Sequence, residues 1–458
     1  MKIIYFFTLL FPFFGCSSPT SEKKEGGTLA SDTVQMEPIK KGIVSRAVVS
    51  NDNTNSYCIY LPTTYDSTKK YTTFIFFDAH GSGYLPIEKY KSIAEKWNFI
   101  FVGSNSSKNG MLVEQTLSIG NALIEELINK VAVDENNITL CGFSGGARVA
   151  ANIAKANNSI KGIICNSAAP QSQIKDKIVI GLAGLGDMNY LELKKFNSKP
   201  QTNGLVNELL VFNGAHEWAP TDFMEDAMLL ATIHHPTIAK TFSDTIKAKA
   251  LSENIMRQAD AMQAISCLVV SSYLEIGIKY TREFKEAGKL INRLDRLRNA
   301  TCFNTDVTAW LNAETEENKL QQELGNAVLS QDSSWWKNNE SHYFESPKAG
   351  ADLFMRQRLR GYVSLMCYSY ANQALKTNNT IAAEKLITVY SIVDPTNCEW
   401  AYMKASLYLK VGLKENAIIL LEKAIELGFK DQSRLNNDAN FNSLKTNSKF
   451  LELLEKTN

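Results

Sequence analysis

The sequence predicts an α/β fold, a mostly parallel sheet flanked by helices, followed by an all-helical second half. From Val44 to about Leu230, short apolar runs of strand length alternate with segments of helical periodicity, the pattern of a parallel sheet covered on both faces. Beyond Leu230 the strand-like runs stop, and Asn254 to Ile278, Tyr280 to Leu297 and Leu353 to Ala374 space their apolar residues as helices do. At 458 residues, 44% of them hydrophobic, the chain can fill two or three globular cores. A formal net charge of +1 lacks the basic footprint that neutralising a phosphate backbone requires, so no nucleic-acid partner is expected.

At the start of the chain Lys2 supplies one positive charge, Ile3 to Phe14 is apolar, and the small Gly15 precedes Cys16. This is the layout of a secretion signal. About a dozen apolar residues are too few to cross a bilayer, which takes roughly twenty. Phe13-Phe14-Gly15-Cys16 resembles the bacterial lipoprotein box, departing from it at Phe13, where leucine is usual. The resemblance implies export and anchoring to a bacterial membrane by a lipid on Cys16, with the membrane face left open. An ordinary signal peptide with an incidental Cys16 is the alternative. Residues 17–41 are rich in Ser, Thr, Lys, Glu and Gly and read as a solvated tether. The expected domains are therefore a signal at 1–16, the tether, a sheet domain at 42–230 and a helical domain at 231–458.

Within the sheet domain, Tyr57 to Leu61, Thr73 to Asp78, Asn98 to Gly103, Ile138 to Cys141, Gly162 to Cys165, Lys177 to Leu182 and Leu209 to Phe212 read as strands. Ile87 to Lys96, Gln115 to Val131 and Gly145 to Ala156 carry helical spacing between them. Little chain separates Cys165 from Lys177, which leaves no room there for a large lid.

Gly142-Phe143-Ser144-Gly145-Gly146 is a G-x-S-x-G directly after a strand-like run and directly before a helical one. A serine on a sharp strand-to-helix turn crowds its neighbours, so glycine fits at 142 and 146 where side chains would clash. The same turn aims the Gly145 amide and the positive end of the helix at a developing oxyanion. In such a site an acid and then a histidine follow the serine, each past the carboxyl end of a later strand. Leu209 to Phe212 runs into Asn213-Gly214-Ala215-His216-Glu217-Trp218-Ala219-Pro220, a loop that displays His216. His80 belongs to another loop, and His234, His235 and His342 lie outside the sheet domain. Lys177 to Leu182 leads into a Gly-rich turn presenting Asp187, a place where aspartate also serves as a simple turn-former. Glu217 adjoins His216 too closely to pair with it, and Asp222 follows too late. Ser144, Asp187 and His216 are thus the expected nucleophile, acid and base. Asp78-Ala79-His80-Gly81-Ser82-Gly83 resembles the H-G-x-G oxyanion loop, which implies a Gly81 or Ser82 amide as second donor beside Gly145, with His80 shaping the loop.

Together these motifs resemble the compact esterase branch of the α/β-hydrolases that includes polyhydroxybutyrate depolymerases and feruloyl esterases. Tyr60-Leu61-Pro62 ahead of the H-G-S-G loop, Val133-Asp134 before G-F-S-G-G, and the stretch from Gly214 to Pro220 carry the resemblance, which covers about the first half of the chain. Such relatives usually place two glycines before the histidine, where this chain has Gly214-Ala215. The resemblance implies an α/β-hydrolase fold and hydrolysis of a carboxylic ester, bulky or polymeric ones included. A peptidase with the same triad and a non-catalytic anchored scaffold are the alternatives. Phe143 and Trp218 suit either pocket lining or packing.

In the helical half a fixed offset of 34 residues relates Ala371 to Ala405, Asn378 to Gly412, Ala383 to Ala417, Leu386 to Leu420 and Tyr390 to Ala424. This resembles the tetratricopeptide repeat, near residues 362–430, and implies a surface for a protein partner. Trp335-Trp336 and Tyr343-Phe344 read as core aromatics or, less simply, as a partner surface. The eight cysteines show no paired short spacing, so neither a zinc site nor a dense disulfide framework is expected, although export would permit a disulfide or two. No phosphate loop, metal-ligand cluster or dinucleotide fingerprint appears, so no cofactor and no metal are expected.

Overall fold

The computed structural model describes residues 39–49, 52–198, 207–233, 242–282, 284–345, 347 and 349–457. The signal segment with Cys16, most of the tether, and His234 and His235 lie outside the described residues. The chain divides after Lys161 into two compact units.

The first unit is a mixed sheet with helices. β1 (Val44–Val49), β2 (Asp52–Tyr60), β3 (Tyr71–Phe77), α1 (Tyr84–Trp97), β4 (Ile100–Ser104), α2 (Val113–Lys130), β5 (Val133–Phe143) and α3 (Gly145–Ala156) follow in order. The strands lie as β1-β2-β4-β3-β5. β2 is antiparallel to β1 and β4, whereas β3 runs parallel to both β4 and β5. β3, flanked by β4 and β5, is buried on both faces, with Phe74, Ile75, Phe76 and Phe77 fully enclosed, which is why it reads as an unbroken apolar run without alternation. Two features escape the sequence pattern. β1 alternates around Arg46 and is too polar to stand out, and β5 begins at Val133, which pairs with Tyr71, ahead of an exposed Glu135 and Asn136 that carry no apolar signal.

The second unit opens with three parallel strands in the order β6-β7-β8: β6 (Ile160–Asn166, whose first two residues precede the division), β7 (Ile178–Gly184) and β8 (Asn207–Phe212). α4 (Tyr190–Asn197) and α5 (Thr221–Ile233) accompany them, two helices the apolar spacing did not single out. In each unit the strands are accompanied by helices, an α/β arrangement. From there every described element is helical: α6 (Phe242–Met262), α7 (Cys267–Thr281), α8 (Ala287–Arg298), α9 (Thr301–Ser330), α10 (Ser333–Phe344), α11 (Ala351–Lys376), α12 (Thr380–Val393), α13 (Cys398–Lys410), α14 (Lys414–Glu426), and the short α15 (Gln432–Asn437) and α16 (Ser448–Glu455) around a 3₁₀ turn. α11 and α12 form one helix pair and α13 and α14 another. Ala371, Ala405, Ala383 and Ala417 are fully buried, where their small size lets helices approach. Asn378 and Gly412, 34 residues apart, reverse the chain between partners with φ of 56° and 84°, the left-handed conformation that asparagine and glycine tolerate best. Trp336, Tyr343 and Phe344 are buried, so those aromatics serve the core.

Candidate active site

In the first unit β5 ends at Phe143 and α3 begins at Gly145, leaving Ser144 alone on the turn with φ 53° and ψ −121°. A side-chain-bearing residue held there costs about 1–3 kcal/mol, and such strain persists only when the surroundings over-determine it. They do so here. A Cβ on Gly142 would lie 2.2 Å from the Gly146 carbonyl oxygen, and one on Gly146 would lie 1.9 Å from that of Phe77. β5, α3 and β3 therefore meet backbone to backbone beneath the serine. Asn109, which no motif flagged, lies against the far side of the turn: its Oδ1 occupies space 1.7 Å from where a Cβ of Gly145 would project. Its own amide donates to Ala79 at 2.8 Å, tying the loop after β4 to the loop after β3.

That second loop is folded by Asp78, whose carboxylate accepts the His80 amide at 2.8 Å and whose carbonyl accepts the Gly81 amide at 3.1 Å. Asn105 Oδ1 accepts the Gly83 amide at 3.1 Å. The Gly81 amide is thus engaged within its turn, while Ser82 offers its carbonyl to Leu85 at the start of α1. His80 contributes its amide to the loop.

In the second unit, the loops after β7 and β8 are joined by backbone bonds from Leu185 to Phe212 at 2.8 Å and from Gly186 to Gly214 at 2.9 Å. This pairing brings Asp187 Oδ1 to 2.9 Å from His216 Nδ1. Asp187 is wholly buried and also accepts the Asn189 amide at 2.8 Å, whereas the His216 side chain keeps 23% of its surface exposed. A buried carboxylate beside one ring nitrogen selects the tautomer with the proton on Nδ1 and strengthens attraction to an imidazolium. Glu217 instead braces the loop, accepting the Ala215 amide at 3.2 Å, and Asp222 is bound to Gln258 of α6 at 2.6 Å. Trp218 is buried and packs.

Residues far away in sequence hold these two loops. Asn166, at the end of β6, donates to the Glu217 carbonyl at 3.0 Å and accepts the Ala219 amide at 2.7 Å. Arg358 of α11 is fully buried. Its Nε and Nη2 reach Glu317 of α9 at 2.8 and 2.5 Å, and its Nη1 donates to the Leu185 carbonyl at 2.6 Å. Its guanidinium also stacks 4.9 Å above the Tyr190 ring. Burial raises the pKa of Glu317, and the Arg358 contacts oppose that rise. Gln357 packs on Gly186 and Gly361 on Met188, so one face of α11 covers the Asp187 loop. A single asparagine at a strand end and a single arginine in a helix carry no motif, so neither was visible beforehand.

A cavity of about 590 Å³ opens beside His216. Met188, Ala264, Ile265, Leu353, Phe354 and Gln357 form much of its wall, which places the turn between α6 and α7 and the start of α11 next to the imidazole. Two charged residues at its edge are already matched: Arg360 binds Glu340 at 3.0 Å and the carbonyls of Val393 and Phe344, and Asp394 accepts from Ser364 at 3.0 Å and Asn397 at 3.1 Å. Among the described residues no group of three or more His, Cys, Asp or Glu is arranged to hold a metal ion.

No protein-family model matches the chain. No curated protein matches it. Among solved structures it is similar to a mutant of the feruloyl esterase module from Clostridium thermocellum complexed with sinapinate, at 14% identity and TM-score 0.35 over 43% of this chain and 90% of that one. It is also similar to the S-formylglutathione hydrolase from Staphylococcus aureus, at 11% identity and TM-score 0.31 over 41% and 92% of the two chains. A third similar structure is esterase 2 of Thermogutta terrifontis phosphonylated by sarin, at 14% identity and TM-score 0.34 over 42% and 94%.

Proposed function

We propose that the protein is a serine hydrolase that cleaves carboxylic esters, with Ser144 as nucleophile, His216 as base and Asp187 as the acid that orients the base. The observation that carries this reading is the buried Asp187 carboxylate 2.9 Å from His216 Nδ1, because it leaves Nε2 as the basic nitrogen. The strained Ser144 turn supports it from the other end of the chemistry. In the proposed reaction Ser144 Oγ attacks the ester carbonyl carbon while His216 Nε2 takes the hydroxyl proton. The tetrahedral oxyanion is held by the Gly145 amide and, since Gly81 is engaged by Asp78, by the amide of Ser82. Collapse breaks the carbon–oxygen bond of the leaving alcohol, which receives the proton from His216. Water then repeats the sequence on the acyl-enzyme and frees the acid.

The cavity beside His216 suits an uncharged, drug-sized portion of the substrate, since its wall is largely apolar and its charges are already paired. Substrate choice then falls partly to the helical half. We further propose that lipid on Cys16 anchors the protein at the cell envelope, on the strength of the signal sequence, and that the helix pairs of α11 to α14 are tetratricopeptide-like and offer a surface to a partner protein. Labelling with a fluorophosphonate, followed by a panel of esters and peptides, tests the central reading. Label on Ser144 together with ester turnover supports it; turnover of peptides alone makes the protein a peptidase, and an unlabelled protein inert on both panels makes it a scaffold.

A further inference from the structure

Two of the eight cysteines meet in space although 35 residues separate them. Cys267 is the first residue of α7 and Cys302 the second of α9, and their sulfurs stand 3.1 Å apart. Fixed backbone holds them there: the Asp306 carboxylate of α9 accepts the Ser266 hydroxyl at 2.8 Å and the Leu268 amide at 2.9 Å, clamping both neighbours of Cys267. The two thiols differ in access. Cys302 is exposed and Cys267 is buried, whereas Cys141, Cys165 and Cys367 are sealed within the core.

We propose that Cys267 and Cys302 form a disulfide site, closed by exchange with a small-molecule disulfide such as oxidised glutathione. Cys302, as thiolate, attacks one glutathione sulfur, breaking that disulfide and releasing one glutathione as thiol. The Cys267 thiol then gives up its proton and attacks the Cys302 sulfur, expelling the second glutathione, which takes the proton. Two protein thiols lose two electrons in all, and one glutathione disulfide gains them. The order follows from access, because only Cys302 can be reached from solvent. It follows also from acidity: burial and the neighbouring Cys302 push the Cys267 thiol up to about 11. Cys267 therefore acts second, once the mixed disulfide lies beside it. The bond would join the start of α7, two residues beyond the Ile265 wall of the cavity, to α9, which carries Glu317.

The test uses the full chain incubated with oxidised glutathione, alkylated, digested and mapped by mass spectrometry without reduction. A cross-linked peptide joining Cys267 to Cys302, with two fewer titratable thiols than in the dithiothreitol-reduced protein, is the expected result. Cys302→Ser should yield no such peptide, and Cys267→Ser should instead retain one glutathione on Cys302. Unlinked peptides for both residues in the wild type, or the same loss of two thiols in Cys302→Ser, would overturn the proposal. None of these measurements depends on hydrolytic activity.

Discussion

The turn that carries Ser144 and the loops that carry Asp187 and His216 are built by opposite means. Around Ser144 most constraints come from neighbours in the chain, since β5, two flanking glycines and α3 produce the turn, while Phe77 and Asn109 press on it from elsewhere. Around Asp187 and His216 the constraints come from afar: Asn166 from β6 and Arg358 and Gln357 from α11, the arginine 173 residues beyond the carbonyl it binds. A locally built site survives as long as its own strand and helix do. A site held at long range depends on the packing of the whole helical half, so distant substitutions should reach it.

The largest effect should come from the chemistry itself. Ser144→Ala and His216→Ala are each expected to lower ester turnover by about 10⁶-fold with unchanged thermal melting, and the double variant should be no worse, because nucleophile and base act as a unit. Wild-type rates in Ser144→Ala would end the reading. Asp187→Asn should be next, at about 10⁴-fold in kcat, since an amide there favours the wrong imidazole tautomer; a small effect would move the acid elsewhere without touching the nucleophile.

Arg358→Met sharpens the contrast between the two regions. Removing the guanidinium leaves Glu317 buried without its counter-charge and should cost about 3–5 kcal/mol of stability, read by denaturant unfolding. Pairing it with Glu317→Leu should restore most of that stability. Turnover should stay depressed in the double variant, because the Leu185 carbonyl still lacks its donor and the acid loop loosens. Full recovery of kcat together with stability would show that α11 only packs.

The smallest effect is expected at the cavity. Ala264 is exposed at its edge, and Ala264→Trp should intrude on the space beside His216. The ratio of kcat/KM for a bulky ester over an acetate ester should fall about tenfold, the order of effect a change of steric fit produces. An unchanged ratio would remove the helical half from substrate choice.

What could be read from the amino acids alone followed from local rules. Apolar periodicity disclosed most strands, the long helices of the second half and the 34-residue spacing of Ala371 and Ala405. Strand, glycine and helix in immediate succession singled out Ser144, and its backbone shows the strained conformation such a turn requires. Strand ends pointed to Asp187 and His216 as candidates, since each stands in a small-residue loop past an apolar run. That these two side chains lie 2.9 Å apart was decided only by the parallel pairing of β7 with β8 and the backbone bonds between their loops. The engagement of Gly81 by Asp78, the brace of Asn166 and the clamp of Arg358 were likewise decided in three dimensions. The physical reason is range: periodicity and turn chemistry act over a few residues and leave a pattern, whereas a buried charge finds its partner only once distant helices have packed.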